Sequence, residues 1–238
     1  LQQVMKTIKI LALFWTTSFA SEIEYRLNFG VELISVFANL LGSLFLLSIF
    51  YRNGGDLGGW SWDSSLIVLG IYNILEGITI SFLQPNLARI VRHVQNGTLD
   101  FVLLKPVDSQ LWLSMRMVSP WGLPSFIVGI FLIINSIHKS NTIIEFTLLI
   151  NSFLMLSSGI VILYCLWFLL ATTSIWFVKI WNATEVLRSL LVAGRYPVSA
   201  YPLALRKIFT FLIPIAFLTT IPAQALLGKV TYPSMILG

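Results

Sequence analysis

Residues 143–178 form a run of 36 residues with a single charged side chain, Glu145. A bilayer core about 30 Å thick is crossed by roughly 20 apolar residues in a helix, since lipid offers no partner to an unpaired backbone group. A run of this length has no place in a water-soluble domain. Four shorter apolar runs bounded by charge accompany it. The expected fold class is all-α and polytopic, with spans at 29–50, 64–83, 118–137, 143–178 and 208–227 in one membrane domain covering 1–238. The longest run exceeds one span but holds no turn residues to make two, so it reads as one tilted or protruding helix. Composition agrees: only 11% of residues are charged, against about 25% in ordinary soluble domains.

Loop charges set an expected orientation. Lys6, Lys9 and Arg26 precede span one, Arg89, Arg92, Lys105 and Arg116 separate spans two and three, and Lys179, Arg188, Arg195, Arg206 and Lys207 precede span five. Only Arg52, Lys139 and Lys229 fall on the other side. Cytoplasmic loops carry the excess of Lys and Arg, so the N-terminus and both long loops are expected in the cytoplasm of a multi-pass inner or plasma membrane protein. The net charge of +5 is thus spent on topology, and no nucleic-acid partner is expected. Residues 1–28 interleave Lys6, Lys9, Trp15, Glu22, Glu24 and Arg26 with apolar side chains, the pattern of an interfacial helix. The alternative is a frayed first turn of a longer span. Ser234-Met235-Ile236-Leu237-Gly238 reads as the start of a further apolar helix, so a sixth span is expected after Gly238.

Reactive groups are sparse. His93 and His138 are predicted on opposite sides of the membrane, Cys165 is the single cysteine, and no HExxH or CxxC spacing occurs. No catalytic residue, metal site or cofactor site is expected in this chain. The glycine cluster Gly54-Gly55-Asp56-Leu57-Gly58-Gly59 lacks the Gly-Lys-Ser/Thr ending of a phosphate loop and reads as an external turn. Two sequons, at Asn96 and Asn182, fall in predicted cytoplasmic loops. Ser157-Ser158-Gly159 reads as a small-residue packing site.

The loop at 84–117 carries the clearest local pattern. After Pro85, Leu87, Ile90, Val91 and Val94 repeat at helical spacing on one face, with Arg89, Arg92 and His93 on others. Asn96-Gly97 supplies a stop, and Lys105-Pro106 a second break. A short amphipathic helix there either transmits force to a docked partner or lies on the membrane surface.

The stretch Ile90-Val91-Arg92-His93-Val94-Gln95-Asn96-Gly97-Thr98-Leu99-Asp100-Phe101-Val102-Leu103-Leu104-Lys105-Pro106-Val107 resembles the first cytoplasmic loop of ABC type-2 transporter permeases. Gly55-Asp56-Leu57-Gly58-Gly59-Trp60, Arg195-Tyr196-Pro197, Ile213-Pro214-Ile215-Ala216-Phe217 and Thr220-Ile221-Pro222-Ala223 resemble one branch of that family in the same order. The resemblance implies a six-span half-transporter, usually for export. It implies that Arg89, Ile90, Arg92, His93, Asn96, Gly97 and Asp100 lie at or beside the contact with a separate ATPase subunit, which would hold ATP and Mg. It also implies a second permease subunit, as a homodimer or a related heterodimer. A secondary transporter and a structural or assembly subunit of a larger membrane complex stand as alternatives.

Within the spans, Glu76 is the costliest side chain, since a carboxylate at the bilayer centre costs roughly 2.5 to 3.5 kcal/mol on the insertion scale. It shares a helix face with Tyr72, Asn73, Thr79 and Ile80. Either it faces a polar route or subunit interface, or its carboxyl is held by a partner helix. Glu32 is expected to reach the membrane surface. In span five, Pro214 and Pro222 remove backbone donors and predict a break or gate, expected near 219–223.

Overall fold

The computed structural model describes residues 2–23, 26–52, 57–140, 145–177 and 181–229, with side chains at 2–8, 21–29 and 181–184 outside that description. The charges of Lys6, Arg26 and Lys179, the Asn182 sequon, residues 54–56 and the expected start of a sixth span therefore lie outside the described residues. The described secondary structure is helical throughout: α1 (Gln2–Ile23), α2 (Arg26–Arg52), α3 (Trp62–Ile78), α4 (Gln84–Gln95), α5 (Leu99–Leu103), α6 (Ser109–Met115), α7 (Leu123–Ser140), α8 (Phe146–Thr172), α9 (Trp181–Leu191), α10 (Leu203–Lys207) and α11 (Ile221–Leu226). Four helical stretches are long and apolar enough to cross a bilayer: Gly30–Arg52, Trp62–Gln95, Pro120–Ser140 and Phe146–Ile175. The longest apolar run is thus one helix. At about 1.5 Å per residue, the 34 residues of Trp62–Gln95 outrun the bilayer, and span two and the amphipathic α4 are one rod.

What joins α3 to α4 is a five-residue π-helical turn, Thr79–Leu83, followed by Gln84 and Pro85. Proline lacks an N–H, and its ring crowds the carbonyl four residues back. Widening the turn before it relieves that crowding, as π-bulges do inside longer helices. The same device recurs at Ala216–Thr220, followed by Ile221 and Pro222.

The chain divides into two compact units. The first comprises Leu1–Ala38, Glu76–Phe126 and Tyr164–Arg188; the second comprises Asn39–Leu75, Ile127–Leu163 and Ser189–Gly238. In the first, a Cβ on Gly77 would strike the backbone of Gly122 and Phe126, so two helices approach there at backbone distance. In the second, every residue from Ser64 to Leu75 is buried, as expected of a helix apolar on all sides. Gly70 and Gly129 repeat the close approach, since a side chain on either would meet the other's backbone. Such small-residue contacts are how helices pack where lipid removes the hydrophobic drive. Leu47, Leu66, Leu69, Tyr72 and Leu132 pack round them. Gly159 lies against the backbone of Phe217, while Ser157 and Ser158 bond back to carbonyls of their own helix at 2.8 and 2.9 Å.

Two expectations are corrected in the second unit. Leu203–Leu212 and Ala216–Leu226 meet at 77°, so the break falls at Pro214 and not near 219–223. Pro214 forces extended backbone on Ile213, at φ −119° and ψ 87°, whereas the π turn lets Pro222 stay inside a helix. The loop at 179–207 is also not wholly on the side of α4. Ser199 packs against Gly58 in the α2–α3 turn, and Gly228 lies beside Leu148 at the start of α8. With α2, α3, α7 and α8 each crossing once, those two turns share a side, so residues 199–228 start and finish there. The bent pair over 203–226 is thus a re-entrant hairpin and not one straight span over 208–227. The charge count missed this because Arg195, Arg206 and Lys207 are held inside the fold or at its hairpin.

Candidate coupling site

In the first unit, α4 presents its faces as the spacing predicts: Leu87, Ile90 and Val91 are buried while Arg92 is exposed. Ile90 is only 1% exposed, so it holds the helix in place and is removed from any outward contact surface. Arg89 and His93 are half-buried; Asn96, Gly97 and Asp100 are exposed. The helix ends in a full C-terminal cap. Gly97 adopts φ 63°, Thr98 N–H donates to His93 O at 2.9 Å and Gly97 N–H to Val94 O at 3.1 Å, the pairing that satisfies the last carbonyls. His93 Nδ1 sits 2.8 Å from Thr98 Oγ1, so this imidazole is tied to the cap.

A chain as irregular as 115–119 must find partners for its backbone, and residues that sequence reading passed over supply them. Asn86, 2% exposed, donates Nδ2–H to Met117 O and accepts Met117 N–H at its Oδ1, both at 2.8 Å. It also donates to Phe82 O at 2.7 Å. Ser119 N–H donates to Ser81 O at 2.9 Å, the carbonyl that Pro85 cannot serve. From α1, Trp15 Nε1–H donates to Met115 O at 3.0 Å, and Ser18 Oγ lies 2.9 Å from Val118 O and 3.1 Å from Val118 N. The N-terminal helix is therefore fastened to the same segment as α4. Trp112 of α6 is flanked by Lys105 and Arg116, each 4.3 Å from its ring, and meets Phe14 edge-on at 5.0 Å. One signal for Asn86 was available: it sits four residues before Ile90 on an otherwise apolar stripe.

Beside α4 opens a cleft of about 490 Å³ whose lining includes Glu32, Gln84, Arg92, Ser119, Trp121 and Arg188. Arg188 of α9 reaches Glu76 at 3.7 Å. The sequence reading supplied Asn73 as a neighbour of that carboxyl, but Asn73 donates to Leu69 O in its own helix at 2.8 Å. Arg188, expected in a loop, is the charged partner instead. In the second unit, Arg195 donates to Asn39 Oδ1 at 3.0 Å and to Ser43 Oγ at 3.5 Å, and lies 5.2 Å from the Tyr72 ring centre. Among the described residues no group of three or more His, Cys, Asp or Glu is placed to hold a metal ion.

The fastened, capped helix at the end of a long membrane rod is a rigid lever with one exposed arginine, able to transmit displacement between a docked partner and the span. No curated protein and no solved structure matches the chain. The family model for ABC-2 family transporter proteins matches residues 37–238, which takes in α3, α4, the cap at Gly97 and the re-entrant hairpin. The chain belongs to the ABC-2 transporter family, as a multi-pass permease-type membrane component.

Proposed function

We propose that this protein is the permease subunit of an ATP-driven exporter, paired with a second permease subunit and powered by a separate ATPase chain that seats on the α4 end. The observation that carries this is the rigidity of α4. A helix that only floated on the membrane surface would need neither the Asn86 bonds to residue 117, nor the Ser119 bond to Ser81, nor the second fastening to α1 through Trp15 and Ser18. Exposed Arg92 supplies a basic group for the rim of an ATPase groove. The same reading puts α4 and the N-terminus in the cytoplasm. Moving Arg195, Arg206 and Lys207 to the other side leaves nine cationic residues against six, so the positive-inside bias keeps its sign.

Affinity purification of the tagged full-length chain from its native membrane tests this. An ABC ATPase is expected to co-purify with wild type, and Arg92→Glu is expected to weaken its retention or to leave hydrolysis no longer stimulated by transport. Equal retention and equal coupling in Arg92→Glu would remove Arg92 from the contact. Absence of any ATPase with wild type would overturn the reading.

A further inference from the structure

In the second unit the re-entrant hairpin bends round a small pocket of about 80 Å³, its polar lining formed by Ser199, Arg206, Lys207, Thr210, Thr220 and Gln224. No carboxylate is among the lining residues. Thr220 Oγ1 accepts Val198 N–H at 3.1 Å, and Thr210 Oγ1 donates to Arg206 O at 2.7 Å. The side chains of Arg206, Lys207 and Gln224 make no hydrogen bond or ion pair among the described residues. Ser199 Oγ is buried and has no partner there either. That hydroxyl faces Gly58 in the α2–α3 turn, so the pocket itself presents two cations and a primary amide.

Those groups offer donors and positive charge with no competing acid, so the complementary ligand is an oxyanion with several acceptor atoms. The volume suits a tetrahedral group and not a whole sugar headgroup, given about 30 Å³ for each water-sized unit. Arg presents a fork of N–H groups that matches phosphate oxygens, with Lys adding a point charge. The surroundings select the source. Phe211, which lines the pocket, is 70% exposed, and its neighbour Leu212 is 72% exposed, an apolar surface for acyl chains next to a polar hole. We propose that this pocket binds the phosphate group of a membrane phospholipid in the leaflet on the side of the α2–α3 turn, with Arg206 and Lys207 meeting its charge and the Gln224 amide donating a hydrogen bond. The proposal is independent of what docks on α4.

Native mass spectrometry of the purified full-length protein tests it, with phosphatidylglycerol and diacylglycerol titrated in parallel and inorganic phosphate as competitor. Arg206→Gln is expected to weaken phosphatidylglycerol binding about tenfold, the usual loss with a hydrogen bond to a charged group. Gln224→Ala should weaken it a few-fold while leaving every charge in place. Arg52→Gln, an exposed cation at the end of α2, should stay within about twofold of wild type, and diacylglycerol, lacking phosphate, should not be retained. Melting temperatures close to wild type show that the variants are folded; Lys207→Gln, at an exposed position, provides the same test if Arg206→Gln is not. Retention of phosphatidylglycerol in excess inorganic phosphate supports a lipid ligand, whereas displacement by the free ion overturns the lipid source. Unchanged affinity in both Arg206→Gln and Gln224→Ala, an equal fall in Arg52→Gln, or equal retention of diacylglycerol would overturn the site.

Discussion

Arg188 and Arg195 stand seven residues apart on one stretch of chain, one in each unit, and they are held by different means. Arg188 faces a carboxylate, Glu76, at 3.7 Å. Arg195 is held by an amide, a hydroxyl and an aromatic face, with its buried Nε left without a partner. An ion pair removes net charge but makes each partner hostage to the other, because deleting one strands its mate. A cation held by dipoles keeps its charge and depends on no single group. The contrast extends to the packing. Specific polar bonds to the irregular backbone at 115–119 organise the first unit, whereas the second contains a helix buried on every side whose Gly70 meets Gly129 at backbone distance. Where backbone leaves the helical pattern, polar side chains must satisfy it; where helices stay regular, small residues suffice.

Breaking the polar side should cost most. Asn86→Leu removes three hydrogen bonds and leaves the N–H and C=O of Met117 without that partner, a loss of about 3 kcal/mol at roughly 1 kcal/mol for each bond. The melting temperature in detergent should then fall by about 6–12 °C. On the packing side, Gly129→Ala drives a methyl group into the backbone of Gly70 and should cost about 1–3 kcal/mol. Gly42→Ala, where a Cβ meets nothing within 4 Å, should leave the same melt unchanged or slightly raised. A parallel fall in both glycine variants would mean that helix propensity, and not close approach, sets the result.

The smallest effects sharpen the contrast between the two arginines. Glu76→Gln and Arg188→Gln are each expected to destabilise by about 1 kcal/mol, because the pair stands at 3.7 Å and the amide that replaces either group can still hydrogen-bond the remaining partner. The double variant should recover part of the summed loss, with a coupling of about 0.5 kcal/mol. Arg195→Gln should show no such coupling with Glu76→Gln. Strict additivity for Glu76 and Arg188 in a double-mutant cycle would show that the ion pair contributes nothing to stability.

Much of the fold was legible because its rules act locally. Apolar run lengths located four long helices, and the period of Leu87, Ile90 and Val91 marked the inward face of α4. Asn96-Gly97 ended that helix where a residue able to adopt positive φ was available. The hairpin was not legible in the same way. Residues 208–227 are as apolar as a span, and only the contacts of Ser199 with Gly58 and of Gly228 with Leu148 show that the segment returns to its starting side. Asn86, Ser81 and Ser119 were missed because their partners are backbone groups, which no side-chain motif records. Asn73 was over-read: its amide is spent on the preceding turn of its own helix.

The central claim, that the α4 end docks a separate ATPase, is tested most directly by a photo-crosslinking amino acid placed at Arg92 and, as a control, at Arg52, in cells expressing the full-length chain. Irradiation should give an adduct containing an ABC ATPase at position 92 and none at position 52. An adduct at both positions, or at neither while the ATPase still co-purifies, would contradict docking at α4.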